Sequence, residues 1–192
     1  MFLVAGLGNP GPEYAGHRHN VGFRVLDVLA RRLGAGFRSK FHGEFAQAEA
    51  RGQKVALLRP MQYMNLSGHA VRDAAKFFQI APADVLVVHD ELDLDFGVIR
   101  LKVGGGAAGH NGLRSVTESL GTPDFARVRF GIGRPRGKGA DYVLSDFAKP
   151  EREELPALLD RAADAIELAL EKGILKAMNE VNRARPSDVN KE

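Results

Sequence analysis

The chain has 192 residues, 44% hydrophobic and 27% charged, with a formal net charge of +3. That length suits one domain with a substantial core, and the composition is that of an ordinary globular chain. The absence of cysteine excludes disulfides, thiolate catalysis and cysteine-bound metal. No apolar run is long enough to span a membrane and no basic-then-apolar leader opens the chain, so a cytoplasmic location is expected.

In chain order, Phe2-Leu3-Val4-Ala5 reads as a strand feeding Gly6-Leu7-Gly8-Asn9-Pro10-Gly11, a stretch that continues to His19-Asn20. Gly6-x-Gly8-x-x-Gly11 satisfies the bare dinucleotide pattern, but Pro10 and Pro12 flank the third glycine. The helical pattern starts only at Val21, and Asp27 falls inside that helix instead of ending a second strand. The pattern is a decoy.

Val21, Val25, Leu26, Leu29 and Leu33 share one helical face, with Gly34 at the stop. Phe45 to Ala48 and Val55 to Leu58 form a hairpin through Arg51-Gly52-Gln53, and Pro60 ends it. Met61 to Leu66 connects to a helix from Gly68 to Phe78. Val85-Leu86-Val87-Val88 is an unbroken apolar run of the central-strand type, ending in His89-Asp90-Glu91.

Val98 to Val103 alternates as a strand and empties into Gly104-Gly105-Gly106-Ala107-Ala108-Gly109; His110-Asn111 then opens a helix to about Leu120. In the strand Arg127 to Ile132, Val128, Phe130 and Ile132 face one way and two arginines the other. A helix from Pro150 carries Leu155, Leu158, Leu159, Ala162, Ile166, Ala169 and Leu170 on one stripe and stops at Gly173. A short helix covers Leu175 to Val181, and a polar tail frays from Arg185. The pattern predicts one three-layer α/β/α domain over residues 1–184 with a mixed, mostly parallel twisted sheet, followed by the tail 185–192.

Three loops expected at strand C-termini carry chemistry: Asn9, Tyr14 and His19; His89 and Asp90; His110 and Asn111. Tyr63-Met64-Asn65 adds a fourth. If they converge, a His, a carboxylate and several amides suit water activation, the carboxylate fixing the imidazole tautomer and the amides stabilising an oxyanion. The ordinary alternatives are a surface His, turn asparagines, and Tyr63 and Met64 as core. Asp90 is the exception, because a carboxylate after four buried aliphatics needs a partner. A metal site ranks lower, since no spacing matches a zinc signature, and no Gly-x-Ser-x-Gly elbow exists for serine catalysis. Arg127, Arg129, Arg134, Arg136 and Lys138 fall in an acid-free stretch, an electrostatic footprint for a polyanion or simply a solvated loop.

Four motifs in order resemble bacterial peptidyl-tRNA hydrolases: Gly6-Leu7-Gly8-Asn9-Pro10-Gly11 with Tyr14 and His19-Asn20-Val21-Gly22; Met64-Asn65-Leu66-Ser67-Gly68; His89-Asp90-Glu91-Leu92-Asp93; and Gly104-Gly105-Gly106 with Gly109-His110-Asn111-Gly112-Leu113. The match is collinear to about Arg183. The resemblance implies a cytosolic, monomeric, metal-free and cofactor-free esterase that cleaves the ester between a peptide and the terminal ribose of tRNA. It implies His19 as general base, Asp90 as its orienting partner, and Asn9, Asn65 and Asn111 as positioning amides. Tyr14, Met64 and His110 would border the peptide and 3′-end cleft, while Lys102 and an arginine of the Arg127, Arg129 and Arg134 group, with Arg129 and Arg134 favoured, would clamp the tRNA 5′-phosphate. Two departures are Gln62, where the family usually has Thr, and Ala107-Ala108, where it has His or Asn with Gly. Two other function classes compete with hydrolysis: a non-catalytic RNA-binding protein of the same fold, and a nicotinamide enzyme.

Overall fold

The computed structural model describes residues 1–183. Seven strands form one sheet in the order β2-β3-β4-β1-β5-β7-β6. They are β1 (Phe2–Gly6), β2 (Arg38–Lys40), β3 (Gly43–Ala50), β4 (Gln53–Pro60), β5 (Val85–Glu91), β6 (Ile99–Val103) and β7 (Ala126–Gly131). The central strands β4, β1, β5 and β7 are mutually parallel, and β2 points the same way through its antiparallel neighbour β3. Only β3 and β6 run the other way. The sheet is therefore mixed with most strands co-directional, as the sequence pattern predicts.

Helices α1 (Val21–Arg32), α5 (Lys149–Lys172) and α6 (Ile174–Arg183) cover one face, burying Val25, Leu29, Leu159 and Ile166 against Val4, Leu57, Leu86 and Val128. Helices α2 (Ser67–Phe77) and α3 (Asn111–Leu120) cover the other, where Val71 and Val116 meet Leu3, Ala56 and Val87. Successive residues of β1, β4 and β5 thus feed alternate layers, as period-two geometry requires. Each fully buried Leu or Val in these layers contributes about 1.5–3 kcal/mol relative to exposure.

Three details position the site. A methyl group on Gly22 would lie 2.5 Å from Leu7 N and from Val88 O, and one on Gly6 would lie 2.3 Å from Gly22 O. These two glycines let the start of α1 rest directly on the ends of β1 and β5. Strand β5 also runs further than its apolar core suggests. The predicted stop after Val88 is corrected to Glu91, because β7 pairs His89 with Arg129, Asp90 with Phe130 and Glu91 with Gly131. Finally, the glycine stretch does not leave the sheet beside Asp90. Val103 pairs with Ala126 at the start of β7, so this loop departs from the other end of the strands and has to return before His110 meets Asp90.

The elements lacking an apolar period are not expected from the sequence: β2, α4 (Gly139–Val143) and the short 3-10 turns such as Arg18–Asn20. The remaining helices and strands match the predicted ones within a few residues. The tail 185–192 lies outside the described residues.

Candidate active site

His19 sits in a 3-10 turn, Arg18–Asn20, that runs straight into α1. Its Nδ1 lies 2.9 Å from Asp90 Oδ2 and 3.0 Å from Oδ1. Asp90 is 3% exposed. Burial alone would raise its pKa, but the imidazoles of His110 and His19 outweigh that and hold the carboxyl well below its ordinary range. An ionised carboxylate only accepts, so Nδ1 of His19 donates. The lone pair of neutral His19 is then on Nε2, the nitrogen not spent on Asp90, and His19 lines the cleft.

A second imidazole meets the same carboxylate. His110 is the N-cap of α3, and its Nδ1 accepts from the backbone N–H of Gly112 at 3.1 Å and Leu113 at 3.2 Å. The proton must therefore sit on Nε2, which donates to Asp90 Oδ1 over 2.9 Å. The neighbouring His89 is 2% exposed and donates from Nδ1 to the carbonyl of Asp90 at 2.8 Å. Burial, with His110 close by, pushes its pKa down to about 3, so this ring stays neutral.

Asn9 is oriented by its neighbours. Its Oδ1 accepts from Met64 N–H at 2.7 Å, while Asn20 bonds both its backbone N–H and its carbonyl at 2.9 Å. The Nδ2 donor of Asn9 makes no hydrogen bond to the described residues. A cleft of about 640 Å³ opens over these groups, lined by Asn9, His19, Met64, Asn65, Asp90, Lys102, His110, Asn111 and Arg129. The nine named residues come from five separate segments of the chain, and their convergence leaves one ring nitrogen and several amides facing one space.

A family model described as Peptidyl-tRNA hydrolase matches residues 3–190. This chain belongs to the peptidyl-tRNA hydrolase family. A peptidyl-tRNA hydrolase of Mycolicibacterium vanbaalenii is 55% identical over 184 residues, covering 94% of this chain and 96% of that one. One from Sorangium cellulosum is 54% identical over 191 residues, covering 97% and 85%. The crystal structure of peptidyl-tRNA hydrolase from Acinetobacter baumannii has a TM-score of 0.90 at 42% identity, covering 97% of this chain and 96% of that chain.

As a peptidyl-tRNA hydrolase fold, the structure sorts the expected residues. Tyr14 is outside the lining; its ring packs edge-on against Tyr63, centroids 6.2 Å apart, and Tyr63 forms the lip. Lys102 and Arg129 line the cleft, with Arg129 Nε donating to Glu91 at 2.8 Å. Arg134 is exposed and outside that lining, 3.5 Å from Asp93 Oδ1. Arg127 also lines the cleft but is 2% exposed, and its guanidinium donates to the carbonyls of Gly106 and Gly105 at 2.7 Å each. It anchors the glycine loop that carries His110.

His110 lines the cleft and also bonds Asp90 directly, and it arrives there on a returning loop, not at the end of a strand beside β5. At the loop departure, Ala108 has φ 47°, a left-handed conformation that costs a non-glycine residue about 1–2 kcal/mol. At the other departure, Gln62 Oε1 is buried without a hydrogen-bond partner among the described residues.

Among the described residues, the group that could hold a metal is His19, Asp90 and His110, whose ligand atoms lie within 4.8 Å of one another. Both imidazoles already satisfy the carboxylate through protons an ion would displace. Sequence reasoning missed the α4 wall, where Gly139, Ala140, Val143 and Leu144 line the cleft. No local pattern marks them. No helix among the described residues is long and apolar enough to cross a membrane.

Proposed function

We propose that His19 activates the water that hydrolyses peptidyl-tRNA in this chain, with Asp90 holding the imidazole in the tautomer that keeps Nε2 free. The observation that carries this reading is the His19 Nδ1 to Asp90 contact at 2.9 Å, at the floor of the cleft. Water oxygen attacks the ester carbonyl carbon while His19 Nε2 takes a water proton. The oxyanion of the tetrahedral intermediate is stabilised by amide donors, first Asn9 Nδ2, with Asn65 and Asn111 on the lips positioning the peptide backbone. The bond to the ribose oxygen then breaks, and the imidazolium returns its proton to that oxygen. Products are a free carboxylate and tRNA with its terminal hydroxyl restored.

Peptide recognition must ignore side chains, and amides directed at backbone provide that. Met64, Tyr63 and Tyr14 behind it form the apolar wall. Lys102 and Arg129 bind the 5′-phosphate of the acceptor stem, with Arg134 further out on the same stretch. The protein works as a cytoplasmic monomer, residues 1–184 forming the hydrolase domain.

A non-catalytic RNA-binding role is not favoured, since such a protein needs no buried carboxylate orienting a base. Nothing in α1 provides the acidic strand end a nicotinamide site would use. The deciding experiment is hydrolysis of N-acetyl-aminoacyl-tRNA with a chelator present. The expected result is full turnover, and loss of turnover restored by a divalent ion would overturn the His19 water mechanism.

A further inference from the structure

Arg18, the residue before the base, is 7% exposed and makes no contribution to the cleft lining. Its guanidinium donates to Ser145 Oγ at 2.7 Å, to the Asp146 carbonyl at 2.6 Å and to Glu151 Oε1 at 2.8 Å. It also lies over the Tyr142 ring, 4.1 Å from the centroid. The backbone repeats the connection: Arg18 N–H donates to Ser145 O at 2.9 Å, and His17 bridges Asp146.

All of these partners belong to the segment that leaves α4 and enters α5. Tyr142 fixes the other side by donating to Ile132 O at 2.6 Å, beyond the end of β7. Glu151 accepts from Ala148 N–H at 2.8 Å as well, so the group that holds Arg18 also caps α5. The turn bearing His19 and the helix forming one cleft wall are therefore joined by one buried side chain together with the backbone contacts of His17 and Arg18.

We propose that Arg18 is a positioning residue that locks the His19 turn to the α4 wall, so that the aim of the imidazole and the shape of the cleft are set together. This rests on His19 being the base. Arginine suits the role because its rigid fork reaches three acceptors while stacking on an aromatic ring; lysine offers one compact charge. A displacement of the base by about 1 Å costs on the order of 10²-fold in rate.

The test compares Arg18→Ala, Arg18→Lys, His19→Ala and a control, Arg32→Ala, in steady-state hydrolysis of N-acetyl-aminoacyl-tRNA. Arg32 also ties α1 to α5, bonding Asp160, Asp164 and Glu167, but stands away from the cleft. Arg18→Ala is expected to lower kcat by about 10²-fold with KM changed less than about threefold, and Arg18→Lys to recover about tenfold of that. Arg32→Ala is expected to lower the thermal midpoint with kcat unchanged. The proposal is overturned if kcat of Arg18→Ala stays within about twofold of the parent, or if Arg32→Ala loses as much kcat at an equal midpoint shift. Should Arg18→Ala fail to fold, Arg18→Lys and Ser145→Ala are read by the same split between kcat and KM, and unchanged kcat in both overturns it. A His19→Ala variant that keeps full activity removes the base assignment instead, a separate outcome.

Discussion

His110 Nε2 and Asp90 Oδ1 lie 2.9 Å apart, and the proton between them belongs to the imidazole, because His110 Nδ1 is occupied as an acceptor by two N–H groups of α3. Asp90 thus receives two imidazole donors in a buried position, one from the His19 turn and one from the α3 cap. The carboxylate organises both rings.

Asp90→Asn tests that role with little change in shape. The side-chain amide presents a donor where two donors already point, so one imidazole must flip its proton to the other nitrogen. If His19 flips, Nε2 is protonated and no longer a base. Turnover is expected to fall by about 10²–10⁴-fold with KM little changed. Single-turnover rates alongside tRNA binding check it.

His110→Asn separates two functions of one residue. Asparagine is a good N-cap and keeps an acceptor for the α3 N–H groups, but it is too short to reach Asp90. Stability is expected to stay within about 1 kcal/mol of the parent while turnover falls. His110→Ala removes both and is expected to lose about 1–2 kcal/mol as well. Denaturant midpoints and kcat on the same samples check the split.

Acid should unfold this protein through His89 before the carboxylates matter. Its pKa is about 3 when folded against an ordinary 6.5, so between those values the unfolded chain binds a proton that the native one refuses. Stability is present above 6.5 and is lost as pH falls toward 3, at about 1.4 kcal/mol per pH unit. The depressed carboxyl of Asp90 adds loss of the same sign only below its ordinary value of 3.8. Replacing His89 with Gln is expected to flatten the slope between pH 4 and 6, read from urea unfolding.

The two arginines of β7 should separate by salt dependence. Arg129→Ala and Lys102→Ala are each expected to reduce the salt slope of tRNA binding by roughly 0.7–0.9. Arg127→Ala leaves the carbonyls of Gly105 and Gly106 without their donor, so its expected signature is about 1–3 kcal/mol of lost stability. Fluorescence titration at several salt concentrations, with melting curves, checks all three.

Much of this was legible in the chain because local chemistry announced it. Val21, Val25, Leu26 and Leu29 carry a helical period, Val85 to Val88 a buried strand, and the polar residues breaking those runs became the site. Asp90 stood out because a carboxylate ending a buried strand cannot go unpaired. What stayed hidden depends on partners distant in sequence. Strand β2, Arg38-Ser39-Lys40, has no alternation of its own and exists by pairing with β3. Arg127 and Arg129 look equivalent, yet only the first meets the returning glycine loop. His110 reads as a helix neighbour until that loop lays it on Asp90. Arg18 gives no signal, since its acceptors lie 127 to 133 residues away.

The most direct measurement is single-turnover hydrolysis of N-acetyl-aminoacyl-tRNA by His19→Ala, with tRNA affinity determined on the same preparation. The expected result is a rate lowered by about 10²–10⁴-fold with affinity intact. A rate that survives, or one that falls only in step with affinity, would contradict a water-activating imidazole at this position.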